Sequence, residues 1–329
     1  MQTFEWVDAK SVQQAANLLA ETKPDRLVMA KAGGMDLLDL MKEGVIAPAR
    51  LINLKTIDGL RDIKVDKDGL SLGALVTLHR IDNDPQIRQQ YVALAEAAGH
   101  AATPQVRNAA TIGGNLLQKP RCWYYRHDHF HNVEGDALER VKAGQNQYHA
   151  IFDNNETAMV QASTPATALV AYDAGVELTD GDGKTRSVKL TDFFLPPDMQ
   201  RPVDAKIEPG EVLTRVLVPS LPAGAKAAYH KQTERESYDW PICDVAVVMV
   251  MDGDKVGSCS IVMGWVAPVP RHATAAEEML VGHPITEDLA RRAATAAVQG
   301  ATPLSKNGYK VALLETVVRR TILKAAEMA

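Results

Sequence analysis

Two glycine pairs carry the clearest chemical signal in the sequence. Lys31 to Leu38 reads KAGGMDLL and Arg107 to Leu117 reads RNAATIGGNLL, which sets Gly33-Gly34 and Gly113-Gly114 about 80 residues apart. A strand, a glycine pair and a helix start let backbone N–H groups converge on an anion with no Cβ in the way. In the first motif Asp36 reads as a local cap or a ribose partner, because a carboxylate repels phosphate. In the second, Thr111 offers a hydroxyl and Asn115 both donates and accepts. Two such turns suit the two ends of a dinucleotide diphosphate. The plain alternative is two unrelated tight turns. Neither G-x-G-x-x-G nor G-x-x-x-x-G-K-[ST] occurs, so a Rossmann site or a P-loop is not indicated.

A second cluster follows the second glycine pair. Cys122, His127, His129 and His131 stand in QKPRCWYYRHDHFHN. On an extended segment the alternating histidines would face one side and suit a transition metal. A solvated polar loop explains the same run, and it is the reading adopted: no metal site. Cys122, Cys243 and Cys259 are the only cysteines, with no C-x-x-C and no disulfide framework. A reducing compartment fits them, and the cytoplasm is expected. No catalytic acid, base or nucleophile is assigned.

The elements that must position these residues follow from length and periodicity. At 329 residues, with 46% apolar and 23% charged, the chain is long enough for two or three globular units at roughly 150 residues each. Its 36 Lys and Arg against 41 Asp and Glu give a net charge of −5, which argues against nucleic acid and acidic membrane surfaces as partners. No signal peptide is evident at the start, and no apolar run approaches the ~20 residues of a membrane span.

Residues 1–55 read as a small α/β unit: a helix in SVQQAANLLAE, a strand in RLVMA, a helix in MDLLDLMKE and a strand in ARLINL. Residues 56–222 read as a larger α+β unit. It has a strand in DGLSLGALV, one helix in DPQIRQQYVALAEAAGH and a hairpin in VELTDGDGKTRSVKL. A polar, nearly aperiodic insertion spans about 119–156. Residues 223–329 begin with two strands around an Asp-Gly turn, CDVAVVMVMDGDKVGSCSIVMGW, and end in two helices. The last helix places Val311, Leu314, Val317 and Val318 on one packing face.

Taken together, KAGGMDLLDLMK, RNAATIGGNLLQ, KQTERESYDWPICDVAVVM and GWVAPVPRHATAAEEML resemble the FAD-binding medium subunit of the xanthine dehydrogenase, carbon monoxide dehydrogenase and aldehyde oxidoreductase family of molybdenum hydroxylases. The likeness runs from TFEWVDAKSVQQAANLL to the C-terminal helix. It implies an α+β fold: a two-subdomain FAD-binding fold of the vanillyl-alcohol oxidase type, followed by a C-terminal α+β flavoprotein domain. It implies one non-covalent FAD. Lys31, Ala32, Gly33, Gly34, Met35, Asp36 and Leu37 match the first diphosphate loop. Thr111, Ile112, Gly113, Gly114 and Asn115 match the second FAD-contacting turn, with Thr103 and Gln118 nearby. Lys231 matches a family lysine beside the flavin ring, where a cation offsets the charge that reduction adds.

The chain departs from the family in two places. Relatives often read His-Pro-Ser-Asp where this chain reads QAST, residues 161–164, so Thr164 stands where a carboxylate contacts FAD. The insertion of the most similar three-subunit enzymes carries four cysteines around a [4Fe–4S] cluster, and only Cys122 remains here. A cubane needs a full ligand set, so no [4Fe–4S] cluster is expected in this chain. The resemblance further implies a heterotrimer with a molybdopterin-binding large subunit and a [2Fe–2S] small subunit. Electrons would run from iron–sulfur centres through FAD to an acceptor that is NAD⁺, O₂ or another carrier. A periplasmic location would need export with a signal-bearing partner. Two rival readings remain: a self-sufficient flavin oxidase, and a non-catalytic scaffold whose FAD site has decayed.

Overall fold

Three sheets, each drawn from one stretch of the chain, organise the computed structural model, which describes residues 1–127, 141–154, 158–198, 200–201 and 203–327. The first is parallel. Strands β1 (Glu5–Asp8), β2 (Val28–Lys31) and β3 (Arg50–Asn53) lie in the order β1-β3-β2. Helix α1 (Val12–Leu19) joins β1 to β2, and its N-cap Ser11 accepts from Gln14 N. Helix α2 (Leu37–Lys42) follows β2 after the first glycine pair.

The second sheet is antiparallel and five-stranded. It orders β4 (Ile63–Asp66), β5 (Gly69–Gly73), β6 (Gly175–Thr179), β7 (Thr185–Lys189) and β8 (Val212–Pro219) as β4-β5-β8-β6-β7. The β6–β7 hairpin expected at the Asp-Gly pairs is present, with Gly183 at φ +82° in its turn. Between β5 and β6 run helices α3 (Leu78–Asn83), α4 (Pro85–Gln90), α5 (Val92–Gly99), α6 (Pro104–Ala109), α7 (Ile112–Leu116) and α8 (Thr164–Ala171).

The single helix expected across 84–100 is two, α4 and α5, broken at Tyr91 with φ −129° and ψ 50°. Tyr91 is buried. Its ring meets Tyr172 edge-on at 5.6 Å and its hydroxyl donates to Pro219 O at 3.2 Å. Both anchors are distant in sequence, so helical periodicity carries no sign of the break. Helix α9 (Leu190–Phe193) follows β7.

The third sheet orders β9 (Ala225–Gln232), β10 (Cys243–Asp252), β11 (Lys255–Gly264) and β12 (Arg271–His272) as β12-β11-β10-β9. Helices α10 (Thr274–Leu280), α11 (Glu287–Ala297) and α12 (Tyr309–Glu327) pack with it around one apolar core. Leu314, Val317 and Val318 are buried in that core and Val311 packs at its edge. Cys243 is buried there and Cys259 lies beside it. All eight residues of α8 are buried, because the helix lies between α5 on one side and β10 and β11 on the other. This contact joins the second and third sheets in one core.

Parts of the insertion pack into the protein, while the HDHFHN run lies outside the described residues from position 128 on. Tyr125, Ala150, Ile151 and Phe152 are buried. The buried Lys310 ammonium donates to the carbonyls of Tyr148, His149 and Trp265 at 3.3, 3.0 and 2.7 Å, tying the insertion to the C-terminal helix. His129 and His131 lie outside the described residues.

Candidate functional site

A cavity of about 710 Å³ opens between the first sheet, helices α6 and α7, and the 231–241 segment. That volume falls within the ~300–1,000 Å³ of small-molecule and cofactor sites. Of the sixteen residues expected at a cofactor, fourteen line it; Lys31 and Ile112 do not. Ile112 is fully buried. The Lys31 ammonium lies 5.5 Å from the centre of the half-exposed Trp6 ring.

The two glycine turns meet at this cavity, and they differ. A Cβ on Gly33 would sit 2.2 Å from Ala109 O and 3.3 Å from Ala110 Cα, so glycine is needed because the second motif's backbone abuts the first. Gly34 has φ +81°, the left-handed region where only glycine is free of Cβ strain. Among the described residues, no protein group accepts from the N–H of Gly33, Gly34 or Met35. Three consecutive open donors on a cavity wall are what a diphosphate requires.

The second turn spends its backbone donors internally. Ile112 N donates to Val76 O at 2.8 Å, Gly113 N to Ala74 O at 3.0 Å and Asn115 N to Thr111 O at 2.8 Å. Gly114 N makes a longer bond of 3.3 Å to the capping Thr111 Oγ1. Unpaired backbone donors therefore remain at the first glycine pair, whereas those of the second are taken up within the protein. A Cβ on Gly114 would meet only Thr111 Oγ1 at 3.1 Å and Ala32 Cβ at 3.9 Å. It would project into the gap between the turns. Gln118 closes this side, its amide donating to Asn115 O at 2.9 Å.

Asp36 stands at the N-cap position of α2. Its side chain makes no cap bond. It accepts from Arg126 at 2.6 Å and Lys119 N at 2.8 Å, and it pairs with Arg121 at 2.9 Å. These arginines belong to the insertion, so the carboxylate anchors that segment beside the first turn. Burial pushes the Arg121 guanidinium down to about 10, with Asp36 opposing.

Thr164 lines the cavity, but its hydroxyl donates to Ala97 O at 3.2 Å. Ser163 donates to Asn115 Oδ1 at 2.5 Å, linking QAST to the second glycine turn. At the opposite end Lys231 Nζ donates to His100 O at 2.7 Å. Burial lowers the Lys231 pKa, and Asp244 and Asp239 counter this. Thr103 caps α6 by accepting from Val106 N at 3.3 Å.

Sequence reasoning missed the 238–241 wall: Tyr238, Asp239, Trp240 and Pro241 all line the cavity. Arg121 stacks over the Trp240 ring at 4.8 Å. Two exposed aromatics in the charged run TERESYDWP were the available signal. Cys122 Sγ lies 3.3 Å from His149 Nε2. Burial raises this thiol to about 11 and lowers the imidazole to about 4, so both are neutral at pH 7. Among the described residues no three His, Cys, Asp or Glu side chains converge as a metal site. Nor is any helix among them long and apolar enough to cross a membrane.

Comparison with known proteins accounts for this architecture. Residues 2–221 match the FAD binding domain in molybdopterin dehydrogenase, and residues 228–325 match the CO dehydrogenase flavoprotein C-terminal domain. The aldehyde oxidoreductase FAD-binding subunit PaoB of Escherichia coli is 32% identical over 307 residues, covering 91% of each chain. The carbon monoxide dehydrogenase medium chain of Hydrogenophaga pseudoflava is 28% identical over 323 residues, covering 97% of this chain and 96% of that one. A solved structure of carbon monoxide dehydrogenase from the same organism superposes with a TM-score of 0.77 at 28% identity, over 99% of this chain and 97% of that chain. The chain thus belongs to the FAD-binding medium subunits of the molybdopterin dehydrogenases, an oxidoreductase family whose members include carbon monoxide and aldehyde dehydrogenases.

Proposed function

We propose that this chain is the electron-relay subunit of a heterotrimeric molybdenum hydroxylase. It receives electrons from a [2Fe–2S] small subunit, which draws them from a molybdopterin-binding large subunit, and delivers them to a separate acceptor. FAD, when bound, supplies the two-electron storage that links these carriers. The observation that carries the reading is the first glycine turn. Gly33, Gly34 and Met35 leave their N–H groups open on the cavity wall, where they would hold the diphosphate. Thr111, Gly114 and Asn115 form the facing wall, and Lys231 supplies a cation at the far end for the ring. Thr103, Gln118 and Thr164 complete the lining that the cofactor would contact. The three sheets support a division at about residues 55 and 222.

The open donors favour a working site over a decayed scaffold. Three free cysteines suit a reducing compartment, the cytoplasm, unless a signal-bearing partner exports the complex. Native purification tests the proposal. The expected result is one releasable FAD per chain, two co-purifying subunits carrying molybdopterin and [2Fe–2S] centres, and no substrate turnover by the isolated chain. A chain that turns over substrate alone, or that carries no flavin, would refute it.

A further inference from the structure

Three consecutive carbonyls beside the cavity are held by cations. Lys231 Nζ takes His100 O at 2.7 Å. The Arg107 guanidinium donates through Nη1 to Ala101 O at 3.1 Å and to Ala102 O at 2.8 Å. Ala102 has φ +46°, a left-handed conformation that costs a residue with a Cβ about 1 kcal/mol or more. Such a conformation persists only where its surroundings impose it. Here Arg107 holds the carbonyls on both sides of the Ala102 Cα. Arg107 lies near enough to Lys231 to help lower its pKa, after burial.

The direction of the peptide planes follows. In a trans peptide the N–H points opposite to the preceding C=O. With the Ala101 and Ala102 carbonyls turned to Arg107, the N–H groups of Ala102 and Thr103 point away from it. Both residues line the cavity. Among the described residues neither N–H has a protein acceptor. Two further N–H groups without a protein acceptor thus belong to residues of the cavity wall near Lys231, apart from the first glycine turn.

We infer that Arg107 is a positioning residue for the ring end of the cofactor: it holds the 101–102 carbonyls so that the Ala102 and Thr103 N–H groups face an acceptor atom of the isoalloxazine. The inference rests on the FAD reading of the cavity. Arg107 itself does not touch the ring. Its effect is confined to the ring end, because the first glycine turn keeps its own donors.

Arg107→Met and Arg107→Lys in the full-length protein, stripped of flavin, test this. Each is titrated with FAD and with ADP, and the carbonyl stretching bands of bound FAD are recorded by infrared difference spectroscopy. Arg107→Met should weaken FAD at least about tenfold, the scale of one lost hydrogen bond to a buried acceptor. ADP affinity should stay within about twofold, and a flavin carbonyl band should move to higher wavenumber. Arg107→Lys, with one donor group and the charge retained, should fall between. Wild-type FAD affinity with unmoved carbonyl bands in Arg107→Met would overturn the inference. So would FAD and ADP affinities falling in parallel, the signature of a merely structural role. If Arg107→Met does not fold, the same readouts on Arg107→Lys decide. Wild-type protein that takes up no FAD would instead sink the FAD reading itself.

Discussion

Gly33→Ala and Gly114→Ala should fail in opposite ways. At Gly33 the new methyl would lie 2.2 Å from Ala109 O and 3.0 Å from Ala109 C. Neither atom belongs to a flexible side chain, so the turns must separate by on the order of 1 Å. Overpacking of this kind costs about 1–3 kcal/mol. The melting temperature of flavin-free protein should fall, and FAD binding should fall with it. At Gly114 the methyl meets only Thr111 Oγ1 at 3.1 Å and Ala32 Cβ at 3.9 Å. Alanine is also the better helix former by up to about 1 kcal/mol, which offsets the crowded cap. Flavin-free stability should therefore stay within about 1 kcal/mol of wild type.

The cost at Gly114 appears in binding. With the cofactor placed as proposed, a methyl in the gap between the turns would keep the diphosphate from full contact with the open donors opposite. Losing one charge-assisted hydrogen bond costs about 1.5–3 kcal/mol, or about 10- to 150-fold in Kd. The valine variant, with two further carbons, should bind no measurable FAD. Fluorescence titration of flavin-free protein gives the Kd, and calorimetry gives the stability. Gly114→Ala with wild-type FAD affinity would refute the placement of the cofactor between the turns. Gly33→Ala with unchanged stability would refute the packing argument.

Three further outcomes follow from buried groups. Asp244 accepts from Tyr229 Oη at 2.7 Å and Thr167 Oγ1 at 3.0 Å, and burial pushes its carboxyl up to about 7. Its native pKa exceeds the unfolded value of about 3.9, so stability should fall as pH rises from about 4 to 7, by at most about 4 kcal/mol. Urea unfolding across that range should lose this slope in Asp244→Asn. Lys310→Met should cost at least about 2 kcal/mol, since it strands the carbonyls of Tyr148, His149 and Trp265; denaturant midpoints measure it. Anaerobically purified chain should contain flavin but essentially no iron or acid-labile sulfide, because Cys122 is the insertion's only cysteine; about four irons per chain by metal analysis would contradict this.

Local pattern made much of the fold legible. The long amphipathic run ending the chain is α12, and the Asp-Gly pairs at 180–183 and 252–253 are the turns of two hairpins. Strands β1, β4, β8, β9 and β12 went unread. In AKAAYHKQ, which forms β9, the small and charged residues show little apolar alternation. That strand is specified by its pairing with β10 and by packing against α5. Helix α8 was equally silent, since a helix buried on every side has no polar face to set a period.

The residue types at the site came from the sequence by itself: two glycine pairs and the hydroxyl and amide of Thr111 and Asn115, with Lys231 added by the family resemblance. Glycine is legible because its missing Cβ is a property of one residue, whatever surrounds it. Which glycine serves which purpose was decided only in three dimensions. Gly33 is required by Ala109, some 76 residues away, and Gly113 N is spent on Ala74 O, so only the first pair presents open donors. Asp36 likewise became an anchor for Arg121 and Arg126 because the insertion folds back onto the first turn. The allocation of each hydrogen bond depends on partners that chain folding brings together, and no local spacing encodes them.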